Sequence, residues 1–546
     1  MLIRRTAPPT DRYPCRESTE TIFTRAGADR PGRSPGRGVP DGYRGRVARV
    51  VVVGAGLGGL AAAARLAALG HDVTVLEQAT AVGGKLGWVS RDGHSFDTGP
   101  SLLTWPQVYR DLFDATGGPL DGVLDLVRLD PAVDYRFADG RRLSMPGTAD
   151  AVCRALDDAV GAGAGAEWTA LLERAAAMWR ISEGPFLRSP LRGAATLAGL
   201  ARRPSDVATV APWRTLRGLG SSHLRRPELR LLLDRYATYS GSDPRRAPAV
   251  LATVPYLEQT FGSWYVRGGL HRLGLAVAER AAERGAVVRT GCAVRRVLVE
   301  GGRAAGVELI DGERVPADVV VSGADATALY GDLLPAGRRT AGVRAGLRRT
   351  TPSLSGFVLL LALRGRTPGL AHHTVAFPAD YDAEFDAVFG TGRDRGTPRP
   401  VPDPTVYVSA PDDPALRPDD DSESWFVLVN APPHRPGGGV DWDEPGLAGR
   451  YADRVLAVLA RRGLDVRPRL KWSVVRTPAD LARDTGSVGG SIYGTSSNGA
   501  RAAFLRPANA SPVPGLFLVG GSAHPGGGLP LVALSAEIVA GLVGPA

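Results

Sequence analysis

The sequence predicts an α/β fold, with a parallel-stranded core and an interleaved α+β part. Three observations carry this prediction. The run Val50-Val-Val-Val53 reads as a short buried strand, followed by Gly54-Ala55-Gly56-Leu57-Gly58-Gly59, by a helix-forming run over residues 60–69 stopped at Gly70, and by a second strand ending in Glu77. The C-terminal part repeats this logic: a strand over 515–519, a glycine-rich turn through Gly520, Gly521 and Ser522, and a helix opening at Leu529-Pro530 and running to Leu542. At 546 residues the chain is too long for one core.

Each part of the opening unit has a physical job. Gly54 permits the tight turn, and Gly56 lets the backbone approach a pyrophosphate. Gly59 lets the helix pack closely on its strand, and the helix N-terminus offers free N–H groups to phosphate. Glu77 is placed to accept hydrogen bonds from a ribose. Together these make a complete Rossmann-like dinucleotide-binding fingerprint, with Ala55 in the turn. Gly83-Gly84-Lys85 follows, then Phe96-Asp97-Thr98-Gly99-Pro100-Ser101. Paired glycines and a cation suit a second approach of backbone to phosphate, for which a nicotinamide dehydrogenase has no need. The pattern resembles the extended FAD site of the amine oxidase and phytoene desaturase superfamily.

The remaining elements follow in order. Residues 1–46 are rich in Pro, Gly, Arg and Ser without apolar periodicity, and read as a disordered tail. Residues 47–130 form the first part of the dinucleotide domain. Alternation on either side of Asp139-Gly140 predicts a hairpin belonging to a second sheet. Gly161-Ala-Gly-Ala-Gly165 follows a helical stretch and not a strand, so it reads as a joint between helices. With no second complete fingerprint, a flavoprotein with a separate NADPH domain is disfavoured. From Arg174 to Arg246 fourteen arginines stand against five acids, an excess of nine in a chain of net charge +10. Interleaved Trp179, Phe186 and Trp213 make this segment suited to an anionic membrane surface, the alternative being a solvated helical face. No nucleic-acid module is visible. The aromatics Tyr256, Phe261, Trp264 and Tyr265 read either as ordinary core or as the lining of an apolar tunnel. Thus 131–285 is a helical, substrate-facing and membrane-associating region. Residues 286–330 return to the dinucleotide domain, with Val294 set against the adenine side. Residues 331–509 resume the substrate domain, and 510–546 close the dinucleotide domain.

Composition excludes other classes. Cys15, Cys153 and Cys292 have no CxxC spacing, which argues for a reducing compartment and against zinc or a disulfide framework. The eight histidines show no metal-binding pattern; His372 and His373, adjacent in an extended segment, are expected to point to opposite faces. No metal is expected. The longest clean apolar run, residues 357–363, is too short to span a bilayer, and the N-terminus lacks a signal-peptide core.

Taken together, Gly83-Gly84-Lys85, residues 96–101, Gly262-Ser-Trp264-Tyr265-Val-Arg267-Gly268-Gly269 and Val519-Gly520-Gly521-Ser522-Ala-His524-Pro525-Gly-Gly-Gly528-Leu529-Pro530 resemble the bacterial-type phytoene desaturase family of carotenoid-modifying flavoproteins. The resemblance runs from about Val50 to Val543. It implies non-covalent FAD, a long apolar carotenoid substrate and peripheral attachment, expected at the inner face of the cell membrane; the lack of an NADPH domain implies oxygen or a membrane quinone as electron acceptor. Gly323 stands where the family often has Asn. The closing Gly-Gly-Ser-Ala-His-Pro and the stretch from Arg235 to Pro244 look closer to the hydroxycarotenoid 3,4-desaturases, which leaves the exact substrate open. The expected activity is desaturation of a linear carotenoid; a redox-neutral carotene isomerase and a non-catalytic flavin-binding partner are the alternatives. The catalytic base is unknown, with Glu258 the candidate because apolar sequence neighbours would raise its pKa.

Overall fold

The computed structural model describes residues 45–191, 203–392, 396–499, 502 and 506–546. The predicted tail lies almost wholly outside them.

The opening strand β1 (Arg49–Val53), the helix α1 (Leu57–Ala68) and the strand β2 (Asp72–Leu76) form the predicted unit. They seed a five-stranded parallel sheet whose order is Val287–Arg289, β2, β1, Val319–Ser322, Leu516–Leu518. A parallel sheet is covered on both faces, so its strands read as unbroken apolar runs. Here alternate side chains of one strand enter two different cores. Val50 and Val52 pack with α1 and the helices Gln107–Thr116, His271–Glu283 and Leu529–Val543, while Val51 and Val53 face an antiparallel meander, Val294–Glu300, Arg303–Leu309 and Arg314–Pro316.

α1 begins three residues earlier than its apolar run suggests. Gly56, in extended conformation, is its N-cap, and Gly58 and Gly59 lie in its first turn. Close approach explains both. A Cβ on Gly58 would stand 2.9 Å from Gly520 Cα, and one on Gly59 would collide with Gly54 O and press on Val52.

The second sheet has seven strands in the order Leu470–Arg476, Ser355–Arg364, Ser422–Ala431, Val406–Ser409, His373–Ala376, Val133–Arg136, Arg142–Met145. The predicted hairpin forms its edge, entering through a parallel pairing of Val133–Arg136 with His373–Ala376. Helices Ala149–Val160 and Ala164–Ser182, joined by Gly161 and Gly163, pack over that edge with Leu216–His223 and Pro227–Arg235. A small antiparallel sheet, Leu103–Thr104, Ser263–Val266 and Leu126–Arg128, links this part to the dinucleotide domain. Among the described residues no helix is long and apolar enough to cross a membrane.

The arginine-rich segment is less of a free surface than its charge count suggests. Arg188 pairs with Glu183, Asp111 and Glu537, Arg217 with Asp234 and Asp382, Arg226 with Glu167, and Arg245 with Asp243 and Asp386. Arg235 is buried. Arg203, Arg214 and Arg225 remain exposed, as does Trp213, at 66%. Arg192 and Arg202 lie outside the described residues. His372 and His373 also depart from expectation: their rings meet edge to face at 4.5 Å, because His372 precedes the strand that begins at His373.

Candidate active site: a glycine cradle and a buried polar cavity

The N-termini of α1 and Leu529–Val543 lie at the carboxyl ends of the parallel strands, where open α/β sheets bind ligands. Main-chain bonds shape the loop between β1 and α1. Gly54 N–H donates to Leu76 O (2.8 Å), and Gly83 N–H donates to Ala55 O (2.9 Å), so the second glycine motif lies against the first. Gly56 and Gly83 form a parallel bridge, and a Cβ on Gly84 would stand 3.1 Å from Gly56 Cα. Gly99 is pressed against Lys85 O, and Thr98 N–H donates to Gly87 O (2.9 Å) with Pro100 following. The two motifs separated in sequence therefore form one continuous surface.

Gly56 tests whether a dinucleotide fits. Its φ of −69° suits any residue, and an added Cβ would meet no protein atom within 4 Å. Nothing in the protein requires glycine there. A pyrophosphate lying on the loop does. Glu77 is buried, and its carboxylate accepts from Ala55 N–H (2.6 Å) and Ala79 N–H (2.9 Å), while its own carbonyl accepts from Cys292 N–H (2.7 Å). The carboxylate's remaining lone pairs suit a ribose diol. Val294 opens the meander two residues beyond Cys292 and packs against the core that contains Leu76 and Cys292.

At the other helix, Gly520 N–H donates to Ser535 Oγ (3.2 Å), Ser522 Oγ accepts from Ala326 N–H (2.9 Å), and Leu529 O accepts from Tyr109 Oη (2.6 Å). Pro530 occupies the first helical turn. Gly521 O accepts from Arg506 (2.8 Å), which also donates to Tyr493 O (3.0 Å) and Thr495 O (2.7 Å). Burial lowers the Arg506 guanidinium to about 10 against the pull of Asp325. Lys85 does not lie free in the cradle. Its ammonium donates to Ser491 O (2.7 Å) and Ile492 O (2.8 Å), and burial pulls it down to about 8 against Asp325. Both cations thus bind the segment 491–495 onto the cradle. Arg506 and Asp325 were not visible as site residues in the sequence, since one arginine among many carries no local signal.

Glu258 stands elsewhere than its apolar sequence neighbours suggest. It is buried and accepts from Tyr236 Oη (2.7 Å) and Tyr239 Oη (3.2 Å), with the Arg235 guanidinium acting on it electrostatically. Its polar partners are thus phenols of the preceding helical segment, which its apolar sequence neighbours do not reveal. Burial raises both phenols, so they act as donors. Arg235, Tyr239 and Glu258 line a very small cavity with Ser263, His373 and Tyr407 on one side and Leu102, Ala132 and Val133 on the other. The cavity adjoins the cradle through Ser101, whose Oγ bonds Tyr407 Oη (2.7 Å) and whose carbonyl faces His373 Nε2 (3.3 Å).

One further cluster, His434, Asp441 and Asp443, brings possible ligand atoms within 4.8 Å of one another. His434 Nδ1 accepts from Trp442 N–H (3.2 Å) and Asp443 is bound by Arg483 (2.9 Å), which accounts for the grouping without a metal.

Comparison with known proteins places this geometry. Residues 57–411 match the model of the family described as flavin containing amine oxidoreductase. The chain is 35% identical over 492 residues to a hydroxyneurosporene desaturase of Cereibacter sphaeroides, covering 90% of this chain and 96% of that protein. It is 34% identical over 502 residues to a zeta-carotene-forming phytoene desaturase of Myxococcus xanthus, covering 90% and 93%. A putrescine oxidase bound to putrescine shares the fold with a TM-score of 0.59 at 16% identity, over 90% of this chain and 97% of that one. The chain belongs to the flavin-containing amine oxidoreductases, and its cofactor is FAD. Within them it is a member of the carotenoid desaturases of the bacterial phytoene desaturase type.

Proposed function

We propose that the protein desaturates an acyclic carotenoid at a membrane surface and passes the electrons to oxygen or a membrane quinone. The observation that carries this reading is end-to-end likeness to a desaturase, 35% identity over 90% of the chain. FAD supplies a hydride acceptor for oxidation of a CH–CH bond. The protein's own part is to bind, orient and exclude water. The loop at Gly54–Gly56 and the surface of Gly83, Gly84 and Thr98–Pro100 would hold the pyrophosphate and the adjoining cofactor. The N-terminal dipole of Leu529–Val543 would favour negative charge on the ring system. Lys85 and Arg506, by fastening residues 491–495 across the cradle, restrict access of water.

The substrate class is insoluble in water, so an enzyme of this kind collects it from a bilayer. Exposed Trp213, next to exposed Arg214 in a segment that also exposes Arg203 and Arg225, supports docking through this segment; in this reading the membrane is the cell membrane and the side is the cytoplasmic one.

The test is to supply phytoene, neurosporene, lycopene and 1-hydroxylated carotenoids one at a time to the flavin-loaded protein in liposomes. Loss of two hydrogens per step from an acyclic carotenoid is expected. A product of unchanged mass would indicate isomerisation, and no new chromophore from any of them would indicate a non-catalytic partner.

A further inference from the structure

The cofactor cradle lies at the carboxyl ends of the parallel strands. At their amino ends a groove of about 640 Å³ opens between the residues that lead into β1 and the antiparallel meander. Arg46, Arg49, Arg303 and Arg314 line it, and all four are exposed. The acids among its lining residues are Glu300 and Asp318. Arg49 already holds Asp318 through two nitrogens, each at 3.2 Å, and Arg314 pairs with Glu308 (3.3 Å). Val47, 55% exposed, adds an apolar contact, and no aromatic ring is among the described residues that line the groove. The basic surface does not stop at the meander. Arg303 follows the turn Gly301-Gly302, where a Cβ on Gly302 would stand 3.7 Å from the Arg339 guanidinium. Arg339 belongs to the turn of helix that leads into Ala341–Arg348. From Leu333 to Ala379 the chain has no Asp or Glu. Arg338, Arg339, Arg348 and Arg349 are exposed, and none of them forms an ion pair among the described residues. They differ in this from Arg188, Arg217, Arg226 and Arg245, whose charges are met by acids.

We propose that this groove and the arginine ridge beside it bind an extended acidic segment of a partner protein. Guanidinium groups grip carboxylates in a two-pronged fashion, as Arg49 does with Asp318 on the groove wall. A groove admits a chain and excludes the plane of a bilayer. The helix Ala341–Arg348 also lacks an apolar anchor for a bilayer, since Leu347 is buried and Val343 half-buried against the core. Single-stranded nucleic acid gains much of its affinity from stacking on aromatic side chains, which this groove does not offer. Glu300 interrupts the positive strip, which suits carboxylates spaced along a peptide better than a phosphate on every unit. The surface lies at the end of the sheet opposite the cradle, so a partner seated there leaves the cofactor in place.

The experiment uses the FAD-loaded full chain and a fluorescent peptide of alternating Glu and Ser, with alternating Lys and Ser as the control. Binding is followed by fluorescence anisotropy at low and at high salt. The acidic peptide should bind, the basic one should not, and salt should remove most of the binding. Replacing Arg338, Arg339, Arg348 and Arg349 together with Ser should weaken binding about tenfold, since exposed ion pairs are each worth little and act here as a set. These side chains are exposed and unpaired, so the variant should keep its fold and its flavin. Ala305→Glu sets a carboxylate in the groove and leaves the ridge intact; it should weaken binding as well, which shows that the peptide enters the groove. No binding of the acidic peptide at low salt, or equal binding by both variants, would overturn the proposal. Three further results would overturn it by giving the surface another occupant. They are binding of anionic vesicles, binding of a single-stranded RNA, or self-association of the free protein, if the four arginine substitutions abolish it while peptide binding survives them.

Discussion

At Gly56 the missing side chain is the functional feature. The backbone there is relaxed and the space beyond Cα contains no protein atom, so Gly56→Val should fold and yet lose its FAD. Flavin absorbance of the purified variant, set against its circular dichroism, checks this, and normal flavin content would refute the cradle. Gly59 behaves differently, because a Cβ there collides with Gly54 O and substitution would damage the loop itself. Lys85 gives a pH signature. Its pKa in the folded protein is about 8, below the ordinary value near 10.4. Between these values the unfolded chain holds the proton and the folded chain releases it. Stability contributed at this site therefore rises with pH through the window and is lost as pH falls through 8. Denaturant midpoints at pH 7.5 and pH 10 should show wild type gaining on Lys85→Met as pH rises; a constant difference between the two proteins would refute it.

At the scale of elements, docking should depend on the exposed patch and not on the whole arginine count. Arg226, paired with Glu167, serves the helix packing, whereas Arg203, Arg214 and Arg225 are exposed to solvent, as is Trp213. Replacing these three arginines with Ser should reduce binding to anionic vesicles by about 1 kcal/mol for each that reaches the surface, an effect that salt removes. Trp213→Ser should remove a part that salt does not. Vesicle flotation distinguishes them, and equal binding to neutral and anionic vesicles would leave the patch a solvated face. The same contrast shows what a sequence can convey. β1, α1 and β2 were legible because strand, turn and helix are local patterns of adjacent residues. The parallel pairing of Val133–Arg136 with His373–Ala376 was not, since it joins segments more than two hundred residues apart. Nor was the environment of Glu258. Its apolar neighbours in sequence differ from its polar neighbours in space, and only the packing of two helical segments brings the phenols in. The arginine segment was read as surface because sequence records charge but not the acids that come to meet it from Asp382, Asp386 and Glu537.

On the scale of the whole molecule, two bodies share one site. Arg506 and Lys85 tie main-chain carbonyls of residues 491–495 to the dinucleotide domain, and Ser101 reaches across to Tyr407 in the seven-stranded sheet. Replacing Arg506 leaves three buried carbonyls without this donor, so Arg506→Met should lose both stability and flavin, by several kcal/mol in the first case. A thermal melt with and without added FAD checks both; an unchanged melting temperature would refute the clamp. The parallel sheet carries a further consequence for how the protein is made. Its edge strand Leu516–Leu518 and the helix Leu529–Val543 leave the ribosome more than four hundred and fifty residues after the loop they complete, at Gly54–Gly56. At about 5–20 residues per second, on the order of a minute separates the two ends of a single binding site. Nascent chains must therefore wait, flavin-free and with an incomplete sheet, until residues 516–543 have been made. Ribosome-bound chains halted after residue 513 should bind no FAD, whereas full-length chains released from the ribosome should take it up at once.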